Sequence, residues 1–167
     1  MRWLFFAVAA VLLAGCAGYR LGPLNGEPAG ARSVQFHPFA NRTIEPRVSE
    51  YVNEALRKQL QRDGTYRLET QDEGDIIVWG EIERLDRGEL SFLANDALTP
   101  QDYNLSLVAH ITAIDRSTGK TNVDRMVVGR TAIRVGSDLS SAERQAIPML
   151  AEDLARNAVS AITDAPW

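Results

Sequence analysis

One cysteine, Cys16, stands directly behind an unbroken apolar run from Trp3 to Leu13. Two consequences bound everything this chain can fold into. No internal disulfide is available, so the folded part must bury a core that stands alone. The opening residues, in turn, belong to export rather than to the fold. Arg2, the apolar run and the small pair Ala14 and Gly15 supply a basic start, a hydrophobic segment and a cleavage site, the pattern of a secretory signal peptide. The run is about half the ~20 residues that a membrane-spanning helix needs, so it is not a permanent span.

Leu13-Ala14-Gly15-Cys16 resembles a bacterial lipobox. The resemblance implies cleavage before Cys16, a diacylglycerol on its thiol and an acyl chain (palmitate is typical) on its α-amino group. The alternative is an ordinary signal peptide that leaves Cys16 a free thiol, a liability in an oxidising compartment with no partner in the chain. Several acyl chains, at about 0.8 kcal/mol per buried methylene, anchor stably where one does not. By analogy with lipoprotein sorting, Ala17 after the cysteine points to the outer membrane, on its periplasmic side.

Three segments follow: a signal peptide over 1–15, a lipidated cysteine with a flexible Gly/Pro/Ala tether over 16–31, and one domain over 32–167. Loss of Arg2 takes the net charge from −4 to −5, a mild acidity that argues against bulk nucleic-acid binding. Nearly all cations are arginines; Lys58 and Lys120 are the only lysines.

Within the domain, Ser33 to Phe39 alternates as a strand, with Pro38 marking an edge or an end. Val48, Val52, Ala55, Leu56 and Leu60 form a helical stripe, with Pro46 suited to the first turn and Gly64 to the stop. A short strand at Thr65–Thr70 and a long one at Asp75–Phe92 follow, and Trp79 reads as core. Ala94 to Asp102 reads as a loop. Tyr103, Leu105, Leu107, Ala109 and Ile111 share one strand face, and a turn at Arg116–Lys120 leads into a last strand, an antiparallel hairpin. The final helix carries Ala146, Leu150, Leu154, Ala158 and Ile162 on one stripe. Ser140 with Glu143 suggests a capping box, and Pro148 a kink or restart. The order predicts an α+β two-layer sandwich, a mostly antiparallel or mixed sheet with both helices on one face. The other face must meet water or a partner.

Chemistry is sparse. His37 and His110 are the only histidines, both read as surface residues, and neither pairs at metal-ligand spacing. The motifs of serine hydrolases, zinc proteases and P-loops are absent. The carboxylates from Asp72 to Glu89 read as a solvated surface. No enzyme activity, metal or cofactor is expected. Arg84 and Arg87 near the end of the long strand, with Arg125, Arg130 and Arg134 along the last one, could meet anionic groups such as lipid phosphates, and Arg84, Arg125, Arg130 and Arg134 are the candidate contacts. The alternative is that they balance Glu81, Glu83, Asp86 and Asp124 as cross-strand ion pairs.

GCAGYRLG, SVQFHPFANRT, VSEYVNEALRKQL and YRLETQDEGDIIVWGEI, with the later hairpin and a final helix running to Trp167, resemble the LptE lipopolysaccharide-assembly lipoproteins over essentially the whole mature chain. That resemblance implies a small α/β sandwich on an outer-membrane lipid anchor. It also implies a partner, a large LptD-type β-barrel that the lipoprotein plugs and helps to assemble, and binding of lipopolysaccharide. The four arginines are not carried over from the family by position. A second reading is an envelope or secretion-pore lipoprotein of the curli-secretion kind, acting as a ring of identical copies. A periplasmic hydrolase is the third, resting only on the abundance of carboxylates.

Overall fold

The computed structural model describes residues 28–93, 96–134 and 138–167. Cys16, the signal peptide and most of the tether lie outside these residues. Eight elements follow in chain order: β1 (Ser33–Phe36), β2 (Ala40–Asn41), α1 (Val48–Asp63), β3 (Arg67–Glu69), β4 (Ile76–Leu93), β5 (Asp96–Asp115), β6 (Thr121–Arg134) and α2 (Leu139–Thr163). They form one sheet in the order β3-β1-β4-β5-β6, with β2 paired to β4 as well. β1 runs parallel to β3 and β4, whereas β4, β5 and β6 are antiparallel neighbours. The fold is α+β with a mixed sheet, as expected.

The core lies between one sheet face and the two helices. α1 buries the predicted stripe of Val48, Val52, Ala55, Leu56 and Leu60. Gly64 ends it in the left-handed region at φ 73°, its N–H donating to the Leu60 carbonyl. Pro46 falls just before the N-cap Arg47, so it precedes the first turn rather than occupying it. α2 buries Ala146, Leu150, Leu154, Ala158 and Ile162, together with Ile147, Ala151, Ala155 and Val159. Opposite them stand Leu105, Leu107, Ala109, Ile111 and Ala113 of β5, which alternate inward because a strand repeats every two residues. Each large side chain removed from water contributes about 1.5–3 kcal/mol.

Four expectations are corrected. Asp96 to Asp102 is strand, not loop: Asp96 pairs with Leu93, Pro100 with Phe92 and Asp102 with Ser91, across several register shifts. Pairing with β4 overrides a turn-like composition there. The first strand stops at Phe36 rather than Phe39, and it lies between β3 and β4 instead of at an edge: the His37 N–H still donates to the Val78 carbonyl, Pro38 then offers no N–H, and Phe39 packs over Gly80. The cap of α2 is Asp138, not Ser140: the extended Asp138 accepts from the N–H groups of Ser140 and Ser141 at 3.0 and 3.2 Å. α2 also runs unbroken through Pro148, because buried Ile147, Leu150 and Ala151 hold it against the sheet on both sides of the missing N–H.

Candidate functional site

Neither helix covers the second face of the sheet. A β-bulge between Ile82 and Arg84 divides it. Before the bulge, even residues of β4 point to the helices; after it, odd residues do, so Arg84 and Asp86 turn outward while Leu85 packs on the core. The same alternation puts Ser106 and His110 of β5, and Asp124, Met126, Arg130 and Arg134 of β6, on the open side.

In the half of this face beside β1 and β2, Trp79 is 41% exposed and stacks on His37, ring centroids 5.1 Å apart and 6° from parallel. Trp79 is therefore not core: Val78 and Gly80, its neighbours of opposite parity, take the inward positions. A lateral row of charge then crosses the sheet. Arg42 pairs closely with Glu81, Glu81 is opposite His110, and His110 Nε2 lies 2.7 Å from Asp124 Oδ1. Both histidines are at the surface, as expected.

The distal half holds three of the four candidate arginines. Arg84 Nε donates to Asp86 Oδ2 at 2.8 Å. Arg134 grips Asp102 with two nitrogens, at 2.9 and 3.4 Å. That grip, with a 2.6 Å bond from Ser91 Oγ, holds the Asp102 carboxyl below the usual range, and Asp102 raises Arg134 in return. Arg130 lies between them and makes no side-chain hydrogen bond among the described residues; Asp153, which accepts from its backbone N–H, is an electrostatic neighbour. Arg125 is elsewhere. Its odd number in β6 places it on the helix side, among the residues lining a groove against the C-terminal end of α2. The structure thus brings Arg84, Arg130 and Arg134 onto one face and separates Arg125 from them. Of the expected cross-strand pairs, only Arg134 has a cross-strand carboxylate, and it is Asp102; Arg84 pairs along its own strand.

Sequence reading missed two features. Arg87, grouped by sequence with Arg84, instead turns to the helix side after the bulge and bonds Glu143 near the start of α2. Ile44 is fully exposed on a turn tied down by Asn41, whose Oδ1 accepts from the Thr43 N–H and hydroxyl and whose amide donates to the Glu45 carbonyl. Bulge parity could not be read from spacing; the Asn-x-Thr-x-Glu pattern of the turn could have been. Among the described residues no group of three His, Cys, Asp or Glu side chains is placed to hold a metal, and no helix is long and apolar enough to cross a membrane.

Residues 31–162 match the family described as LptE, lipopolysaccharide-assembly. Among solved structures, a Xanthomonas campestris protein superposes with TM-score 0.61 at 10% identity, over 86% of this chain and 91% of that one. A hypothetical protein from Chlamydia trachomatis gives 0.58 at 12%, over 79% and 95%. A minor lipoprotein from Acinetobacter baumannii gives 0.52 at 14%, over 81% and 96%. At these identities the likeness is one of fold. No curated protein matches the chain.

Proposed function

This chain belongs to the LptE family of lipopolysaccharide-assembly proteins, and from that premise we propose that it is a non-catalytic lipoprotein that plugs an LptD-type outer-membrane β-barrel. Cys16 is its lipid anchor to the outer membrane, and the domain projects from the periplasmic side. In that position it supports assembly of the barrel and passage of lipopolysaccharide to the outer leaflet.

The observation that carries this reading is the open sheet face. It is charged and polar in alternating rows, and among the described residues Trp79, Leu90 and Met126 are the large apolar side chains of the sheet's open side that are more than 40% exposed. Such a face suits the polar interior of a large barrel rather than a hydrocarbon surface. Arg84, Arg130 and Arg134 are the proposed contacts for lipopolysaccharide phosphates, with Arg130 the most available. Arg84 and Arg134 must exchange Asp86 and Asp102 for phosphate oxygens. Exposed ion pairs of this kind are worth about 0–1 kcal/mol, so the exchange is feasible.

Extraction of the lipidated protein from native outer membranes in mild detergent tests the partnership. A stoichiometric large β-barrel is the expected companion; a ring of identical copies would support the secretion-pore reading instead. Arg130→Ala should weaken lipopolysaccharide binding while the melting temperature stays unchanged. Unaltered binding in the Arg84, Arg130 and Arg134 triple alanine variant would remove these residues from the site. Cys16→Ala should release the protein from the membrane.

A further inference from the structure

The sheet ends at β6, and α2 closes only part of that free edge. Asn157 Nδ2 donates to the Val128 carbonyl at 2.8 Å, and the Arg130 N–H donates to Asp153 Oδ2 at 2.8 Å. These bonds identify the backbone groups of even-numbered residues as those pointing away from β5, because the groups of successive residues alternate sides along a strand. The N–H and C=O groups of Asp124 and Met126 therefore also face outward, and they make no hydrogen bond there among the described residues. Between this stretch and the C-terminal end of α2 runs a groove of about 680 Å³.

Two side chains along the groove lack partners. Asn122 Oδ1 is buried with no hydrogen bond, which costs about 1–3 kcal/mol if it stays so. Arg125 is exposed on the helix side and makes no hydrogen bond or ion pair among the described residues. On the other side of the strand Met126 is 41% exposed.

We propose that this edge takes up an extended segment of a partner protein as an added β-strand, with an acidic side chain of that segment opposite Arg125 and an apolar one beside Met126. Bare N–H and C=O groups two residues apart are the template that a strand satisfies. The unpaired guanidinium calls for a carboxylate. A second copy of this chain does not fit. Pairing the bare stretches about a two-fold axis sets either Arg125 against Arg125 or Asp124 against Asp124, a like-charge contact. A register that avoids both needs the Val128 carbonyl and Arg130 N–H, which α2 already holds. This inference goes beyond lipopolysaccharide assembly and stands independently of the arginines on the open face.

The probe is a ten-residue peptide with blocked ends, alternating valine and threonine around one central glutamate, added to the full protein. Saturable binding with slowed amide exchange at Asp124 and Met126 is expected. Met126→Pro removes one outward N–H and no ladder bond, so the fold survives, as its melting temperature will report. Binding should weaken at least about threefold, the worth of one net hydrogen bond. Arg125→Glu should abolish binding of this peptide and restore it for the peptide with lysine in place of glutamate. Unchanged exchange at the two edge amides, or equal binding by the proline variant, overturns the proposal. A reversible dimer that Met126→Pro abolishes would assign the edge to a second copy and overturn it equally.

Discussion

Gly129 is where α2 comes closest to the sheet, and replacing it with alanine tests the packing argument directly. A Cβ there would lie 2.4 Å from the Leu150 carbonyl oxygen, 2.6 Å from the Leu154 nitrogen and 2.9 Å from Leu154 Cβ. Two of these atoms are helix backbone and cannot rotate away. To restore an ordinary contact near 3.4 Å, α2 must retreat from β6 by about 1 Å, the gap between 2.4 and 3.4 Å. The retreat loosens Leu150 and Leu154, both fully buried, and strains the bonds from Asn157 and Asp153 to the β6 edge. Overpacking of a close-packed core costs about 1–3 kcal/mol, and with unyielding backbone on the far side the upper end applies. At about 2–4 °C per kcal/mol for a domain of this size, Gly129→Ala should melt about 6–12 °C below the parent. Gly88 is the control: an added Cβ meets nothing nearer than the Asn104 carbonyl at 4.0 Å, so Gly88→Ala should stay within about 0.5 kcal/mol. Thermal melting followed by circular dichroism reads both, and faster amide exchange at Arg130 reports the helix lifting. A Gly129→Ala protein that melts with the parent would refute the idea that backbone contact with α2 sets the glycine requirement.

Three further outcomes follow from single side chains. The Asp115 carboxylate accepts from the Ser117 hydroxyl at 2.6 Å and from the N–H groups of Ser117 and Thr118, which hold its pKa at about 2, below the ordinary 3.8. Because the folded value is depressed, its stabilisation is complete above 3.8 and is lost as pH falls from there towards about 2; urea unfolding of Asp115→Asn should show a flatter acid limb. Asp138→Ala removes the cap of α2 and should cost about 1 kcal/mol in urea midpoint experiments, with Ser140→Ala close to neutral. Leu154→Ala empties a fully buried site and should cost about 2–5 kcal/mol by denaturant unfolding.

Much of the fold was legible in the sequence because burial has a period. Val48, Val52, Ala55, Leu56 and Leu60 recur at helical spacing, and the odd residues from Tyr103 to Ile111 recur at strand spacing; each set lies on the core side of its element. The candidate site was less legible. All four arginines could be placed on strands, but which way each one points depends on a bulge after Ile82 and on an odd or even position in β6. Asp102 sits in a stretch of turn-like composition, so its grip on Arg134 is out of reach of local pattern.

The sequence by itself determined both helices and most of the strands, the disulfide-free core, the two-layer class and, through the resemblance of its spaced segments, the family. Those follow from local periodicity and turn chemistry, which a chain carries along its length. Only the tertiary structure decided that Trp79 faces outward on His37, that the bulge after Ile82 turns Arg84 away from the helices, and that α2 seals the β6 edge at Val128 and Arg130 yet leaves Asp124 and Met126 bare. Each of these depends on register between segments distant in sequence. One residue of slip would turn every side chain to the other face, and the chain's local pattern does not record which register the packed helices select.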